Sequence, residues 1–303
     1  MSDNWNWKVA LITGGAGGLG RYLAEYLVKM GKVGPFFVSY PQLRANNGAH
    51  DLAFEPTQKV IIAGRTESNL KQTASEVPGL EYIVVDVGKV DNLAEFVKTA
   101  TTRFPDIDCV ISKLPYAANP NKLLTLSSTS AGIQKPISFP TTPVTQSLLS
   151  ADEEIDTNIR GTVHLITHFL PHLLSKPSSA VFTVSSGLAF IPIHPVPVYC
   201  ATKAFIHSYT QTLRLQLKNT SVRVVEIAPP LVESDLHRDH SNPDNNKKTN
   251  NSFALSAEEF IRDVDRDMNA GLDVVAPGFT RGRVDKEDEI FKADFDKFNG
   301  RQH

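Results

Sequence analysis

The chain has 303 residues, with 31 Lys and Arg against 33 Asp and Glu and a formal net charge of −2, so it lacks the basic excess of a nucleic-acid or membrane-surface binder. Its 41% hydrophobic and 21% charged content is that of a globular protein able to bury a core, not of a disordered chain. Two cysteines, Cys109 and Cys200, exclude a disulfide framework and predict a reducing, cytoplasmic setting, and neither a signal core nor an apolar run of membrane-spanning length is read from the sequence.

Val9–Thr13 is an unbroken apolar run ending in glycines, which predicts a buried parallel strand. Leu23, Leu27 and Met30 predict a helix over 21–30, stopped by Gly31. Further strands are predicted at 60–63, 82–85, 109–111, 180–184 and 222–227, and helices at 93–102, 155–174 and 201–217. This alternation predicts an α/β, Rossmann-type doubly wound parallel sheet in three layers, a single domain over 1–303. Two stretches, 33–58 and 112–129, break the rhythm. Both are far longer than the roughly 2–6 residues usual in α/β connections, and both are turn-rich and aperiodic, so they are read as insertions. Residues 36–40 rival 60–63 as the second strand; 60–63 is preferred because Gly64 and Arg65 follow it as a turn should. The polar run at 240–251 predicts a loop, and 235–303 a mobile C-terminal substrate region. Within it, Ser256-Ala257-Glu258-Glu259 is a capping box opening a helix, and the acidic stretch 285–296 is a solvated tail or helix.

Two constellations carry chemistry. The run Thr13-Gly14-Gly15-Ala16-Gly17-Gly18-Leu19-Gly20 lies between a predicted strand and a predicted helix. Glycines there let backbone approach a pyrophosphate, and the helix N-terminus offers free N–H groups, so strand, loop and helix in this order predict a dinucleotide site. The second is Tyr199-Cys200-Ala201-Thr202-Lys203, whose spacing of four puts Tyr199 and Lys203 on one helix face. An ammonium near a phenol is expected to lower its pKa and make Tyr199 an acid/base. Ser185 and Ser186 end the strand at 180–184, at the edge where doubly wound sheets bind ligands.

These motifs resemble the single-domain short-chain dehydrogenase/reductase family. The glycine run is similar to its Thr-Gly-x-x-x-Gly-x-Gly, and Tyr199 with Lys203 to its Tyr-x-x-x-Lys. Ser186 has the family's usual separation from Tyr199, and Asn158-Ile159-Arg160-Gly161 is similar to its Asn-x-x-Gly. The segments 185–190, 197–203 and 228–230 are similar to the DltE-like oxidoreductase subgroup. The resemblance implies a catalytic tetrad of Asn158, Ser186, Tyr199 and Lys203. It implies cofactor contacts from Thr13, Gly14, Gly18, Leu19, Gly20, Asp86, Val87, Asn158, Tyr199, Lys203 and, in the segment 229–234 that covers the nicotinamide, Val232. Pro230 departs from the family's glycine. Arg65, at the end of the second strand with no carboxylate beside it, predicts NADP(H) over NAD(H). The implied reaction is hydride transfer between nicotinamide and a carbonyl/alcohol substrate. The resemblance also implies a homodimer or homotetramer, with His164, His168, His172 and His207 on helices of the subunit contact; no metal, nucleic-acid or membrane partner is expected.

The insertions cut into family motifs. The family's Asn-Asn-Ala-Gly is expected after the fourth strand, where Ser112-Lys113-Leu114-Pro115 stands instead, and Ala131-Gly132 resembles the end of that motif. Excising both stretches restores an uninterrupted family sequence, so one reading makes them retained introns and the other outward loops, whose closure costs little. If the second insertion spoils the site, the alternative function is a noncatalytic dinucleotide-binding or regulatory protein.

Overall fold

A computed structural model describes residues 7–33, 59–113, 134–234, 242 and 244–300. Among these, seven strands form one parallel sheet: β1 (Val9–Thr13), β2 (Lys59–Gly64), β3 (Leu80–Val84), β4 (Cys109–Ser112), β5 (Ser179–Val184), β6 (Val222–Ile227) and β7 (Val274–Val275), in the order β3-β2-β1-β4-β5-β6-β7. Eight helices join them: α1 (Gly18–Val33), α2 (Glu67–Glu76), α3 (Leu93–Arg103), α4 (Val144–Ile155), α5 (Thr162–Leu174), α6 (Pro197–Leu217), α7 (Ala257–Asn269) and α8 (Thr280–Gly300). No helix among the described residues is long and apolar enough to cross a membrane.

Side chains alternate across a strand, so a sheet covered on both faces needs apolar residues at every position. Ala10, Ile12, Val60, Ile62, Ile111, Phe182 and Val225 pack under α1 and α7, against Leu23, Leu27, Phe260 and Val264. Val9, Leu11, Ile61, Val110, Val181 and Val224 face the other way, onto Phe96 of α3, Phe169 of α5 and Leu213 of α6. The three-layer doubly wound fold is therefore observed. The strand order reverses between β1 and β4, which opens the crevice where such sheets bind ligands. At the opposite, N-terminal end of the two strands Asp108 joins them: its carboxylate accepts the backbone N–H groups of Lys8 (2.7 Å) and Val9 (2.8 Å).

Several boundaries differ from expectation. Helix α1 begins at Gly18 and runs through Gly31 to Val33; one interior glycine costs only about 1 kcal/mol, too little to stop a packed helix. The helix expected over 155–174 is α4 and α5 joined by one π-helical stretch, Asp156–Gly161. Strand β2 is Lys59–Gly64, and the rival at 36–40 lies outside the described residues, as do 34–58 of the first insertion. The second insertion does not begin at 112: Ser112 belongs to β4, aligned with Thr183, and Lys113 is buried behind it. Residues 114–133, with Ala131 and Gly132, lie outside the described residues. Within 235–303, expected as mobile, stand β7, α7 and α8, with Phe260 and Val264 fully buried. The capping box forms: Glu259 N–H bonds the Ser256 hydroxyl, and the Glu259 carboxylate accepts the Ser256 N–H.

Candidate active site

The C-terminal ends of the strands enclose a cavity of about 310 Å³. Leu19 from α1, Lys113 behind β4, Ser185 and Ser186 after β5, Tyr199 and Lys203 from α6, and Val232 beyond β6 all line it.

The glycine loop forms one wall of the crevice. Gly14 and Gly18 take φ of 65° and 44°, left-handed values that favour glycine. A Cβ on Gly15 would press into the Ile62 side chain, and one on Gly20 into the Gly14 carbonyl. The tight packing brings the first turn of α1 down on the end of β1. No acidic side chain stands in that turn to compete with an anion at its free N–H groups. Thr13 Oγ1 donates to the Lys113 carbonyl at 2.6 Å and so ties β1 to β4 across the switch point.

Asp86 and Val87 follow β3. Asp86 Oδ1 accepts the Gly88 N–H at 3.1 Å, and Val87 is fully buried, its carbonyl so close to Gly161 that a side chain there would collide with it. Arg65 directly follows β2, between Gly64 and the N-cap Thr66 of α2.

Ser186 lies two residues beyond β5 and caps a 3₁₀ turn, accepting the Leu188 N–H at 3.1 Å, on the same cavity wall as Tyr199. Helix α6 opens on Pro197, whose fixed φ and missing N–H suit a first turn. Tyr199 and Lys203 point to the same side, the ammonium 5.5 Å from the phenol ring centroid. Lys203 Nζ donates to the Val184 carbonyl at 2.9 Å. Burial lowers the Lys203 pKa to about 8, against the attraction of Glu154 and Glu226. The expected lowering of the Tyr199 pKa is not what the geometry gives. Burial raises it, outweighing the lowering effect of the nearby Ser186 hydroxyl, so the phenol keeps its proton at neutral pH.

Asn158 is buried in the π-helical stretch, a departure from α-geometry that often marks a functional site. Its Nδ2 donates to Thr202 Oγ1 at 3.2 Å, and Thr202 in turn donates to the Tyr199 carbonyl at 2.8 Å. Asn158, Ser186, Tyr199 and Lys203 are thus brought into one buried cluster.

Two residues of this cluster escaped the sequence reading. Glu154, 0% exposed, lies one turn before Asn158; its Oε1 accepts the Lys135 N–H at 2.5 Å and its Oε2 has no hydrogen-bond partner. Burial raises its pKa to about 7. A carboxylate four residues from Asn158 was the available signal. Lys113, 1% exposed, donates from Nζ to the Gly17 carbonyl at 3.3 Å. It lies within the stretch 112–129 that the sequence marks as an insertion, so nothing in the sequence points to its place in the site.

A family model described as short chain dehydrogenase matches residues 47–245. The chain belongs to the short-chain dehydrogenase family. It is 30% identical over 290 residues, 96% of this chain and 94% of the relative, to the uncharacterized oxidoreductase DltE of Bacillus subtilis. It is 29% identical to an uncharacterized oxidoreductase of Staphylococcus saprophyticus, over 77% of this chain and 81% of that one. Among solved structures it resembles a short-chain dehydrogenase of Sphingobium yanoikuyae in complex with NADPH, at 17% identity, 95% and 94% coverage and a TM-score of 0.69. It also resembles one of Burkholderia cenocepacia in complex with NADP, at 20% identity, 97% of each chain and a TM-score of 0.63. These structural likenesses bear on the fold, and the family makes the protein an oxidoreductase.

Proposed function

We propose that the protein is an NADP(H)-dependent oxidoreductase that transfers hydride between nicotinamide and a carbonyl/alcohol substrate, with Tyr199 as the acid/base. The observation that carries this reading is the meeting of Ser186, Tyr199 and Lys203 on one pocket wall, at the strand ends beside the glycine cradle.

The residues present fit a dinucleotide. Thr13, Gly14, Gly18, Leu19 and Gly20 supply a close-approach cradle at a helix N-terminus. Asp86 and Val87 stand where the base would lie, and Arg65 follows β2 with no carboxylate in the motif to select a 2′-hydroxyl. Structural relatives occur bound to NADP, to NADPH and to NADH, so the choice rests on Arg65. When bound, the nicotinamide supplies or accepts the hydride. The chain's own groups do the rest. Ser186 and Tyr199 donate hydrogen bonds to the substrate oxygen as negative charge develops on it. Tyr199, still protonated at neutral pH, gives its proton to that oxygen. Lys203, held on Val184, then stabilises the phenolate, and Asn158 closes the cluster from below through Thr202. The working form is a homodimer or homotetramer built on α5 and α6, where Phe205, 42% exposed, stacks on Tyr209 at 6.2 Å.

NADPH is expected to raise the melting temperature more than NADH does, and to be oxidised when a panel of aldehydes, ketones and quinones is added. Binding without turnover across the panel would favour a noncatalytic dinucleotide-binding protein.

A further inference from the structure

The substrate pocket has an uneven charge. Among the described residues its lining carries Lys113, Lys203 and Arg283 and no Asp or Glu. Two of these cations have work elsewhere: Lys113 reaches Gly17 in the glycine loop, and Lys203 belongs to the Tyr199 cluster. Arg283 does not. It stands in the first turn of α8, stacks over the Phe279 ring at 4.7 Å and donates from Nη1 to the Gly187 carbonyl at 2.7 Å.

No carboxylate among the described residues pairs with it, and burial alone lowers its pKa. Its neighbours make this arrangement specific. Arg281, two residues earlier, pairs with Asp267 at 3.0 Å and Asp285 at 3.4 Å. Glu287 sits four residues after Arg283, the natural helical partner, yet its carboxylate is held 3.1 Å from His207 Nε2. A guanidinium over an apolar wall, at a helix N-terminus that already favours anions, is a receptor in want of an anion.

The anion is not a phosphate of the dinucleotide. Arg283 packs beside Gly187, after β5, whereas the glycine loop follows β1 with β4 between them. Two strand spacings are roughly 10 Å. Gly187 directly follows Ser186, and Arg283 lines the same cavity as Ser186 and Tyr199.

We propose that Arg283 binds a carboxylate of the substrate, making the preferred carbonyl substrates oxo acids with an apolar body. This rests on the reading of the pocket as a reductase site. With one Nη engaged by Gly187, the remaining edge of the fork suits the two oxygens of a carboxylate.

The test compares matched substrates with NADPH: 4-carboxybenzaldehyde against methyl 4-formylbenzoate, and 6-oxohexanoate against hexanal. Each acid should exceed its neutral partner at least tenfold in kcat/KM. Arg283→Met should cut kcat/KM for the acids 10- to 100-fold and leave the neutral substrates within threefold; Arg283→Lys should recover part of the loss. Equal or better turnover of the neutral partners, a uniform loss in Arg283→Met, or a preference for 4-formylphenyl phosphate over the carboxylate would overturn the proposal. If no carbonyl compound is reduced, the reductase reading fails separately, and calorimetry with NADP⁺-loaded protein decides this one. 4-(Hydroxymethyl)benzoate should then bind the natural chain and not Arg283→Met, while its methyl ester binds neither. Equal binding of acid and ester would refute it.

Discussion

Glu154 and His207 are buried titratable groups, and each makes a pH-dependent prediction. The Glu154 carboxyl has its folded pKa raised to about 7 by burial, from an ordinary value of 4.5. The folded chain therefore binds that proton more tightly than the unfolded one. Stability is gained as pH falls from above 7 towards 4.5, and the ionised group costs up to about 3 kcal/mol at pH 8. Glu154→Gln should raise the melting temperature at pH 8 and leave it unchanged at pH 5. Because Glu154 favours the charged Lys203, the same variant should move the alkaline limb of the kcat/KM profile to lower pH; an unmoved limb would separate the two groups. His207 shifts in the same direction, at higher pH and for a different reason. Burial alone would lower its pKa, but hydrogen bonds to Glu226 at 2.9 Å and Glu287 at 3.1 Å raise it from 6.5 to about 10. Its contribution is complete below pH 6.5 and is lost as pH rises through 10. Urea unfolding of the natural chain should show stability falling between pH 7 and 10, with a flatter slope in His207→Gln.

The elements vary in how openly the sequence declares them. Strands β1, β2, β4, β5 and β6 are legible because both faces are covered, which forces continuous apolar runs. Helix α4 is not, and its residues say why: Val144, Leu148 and Leu149 are exposed, while Ser147 and Glu154 are the side chains it buries. Apolar periodicity reads the wrong face of such a helix. The π-helical stretch is hidden for another reason, since a one-residue change in hydrogen-bond register leaves no mark on composition. The tetrad and the glycine loop were legible from motif spacing; Glu154, Lys113 and Arg283 were not, because each is a charge whose meaning depends on which distant residues surround it. The glycine loop tolerates little. Gly20→Ala forces a methyl into the Gly14 carbonyl, so NADPH should no longer raise the melting temperature of that variant. By contrast Ser256→Ala removes only the cap of α7 and should cost about 1 kcal/mol with cofactor binding intact.

At the scale of the whole molecule, the described residues form a continuous sheet although residues 34–58 and 114–133 stand outside them. Lys59 N–H bonds the Lys8 carbonyl at 3.0 Å, so β2 finds its register on β1 through its own backbone. A chain in which Val33 is joined to Lys59 through a short linker should therefore fold and bind NADPH; loss of both would make 34–58 part of the fold. If the two insertions are introns carried into the translated sequence by the gene model, the mature transcript should lack them, and reads of the message spanning both would refute that reading. The central claim is chemical, that the cluster at the strand ends is a working hydride-transfer site. It is tested most directly by the rate of NADPH oxidation at pH 7 with the best carbonyl compound of the panel, in the natural chain and in Tyr199→Phe. Loss of kcat/KM by at least a hundredfold, with NADPH binding retained, is the expected result. Turnover unchanged by Tyr199→Phe would contradict the account.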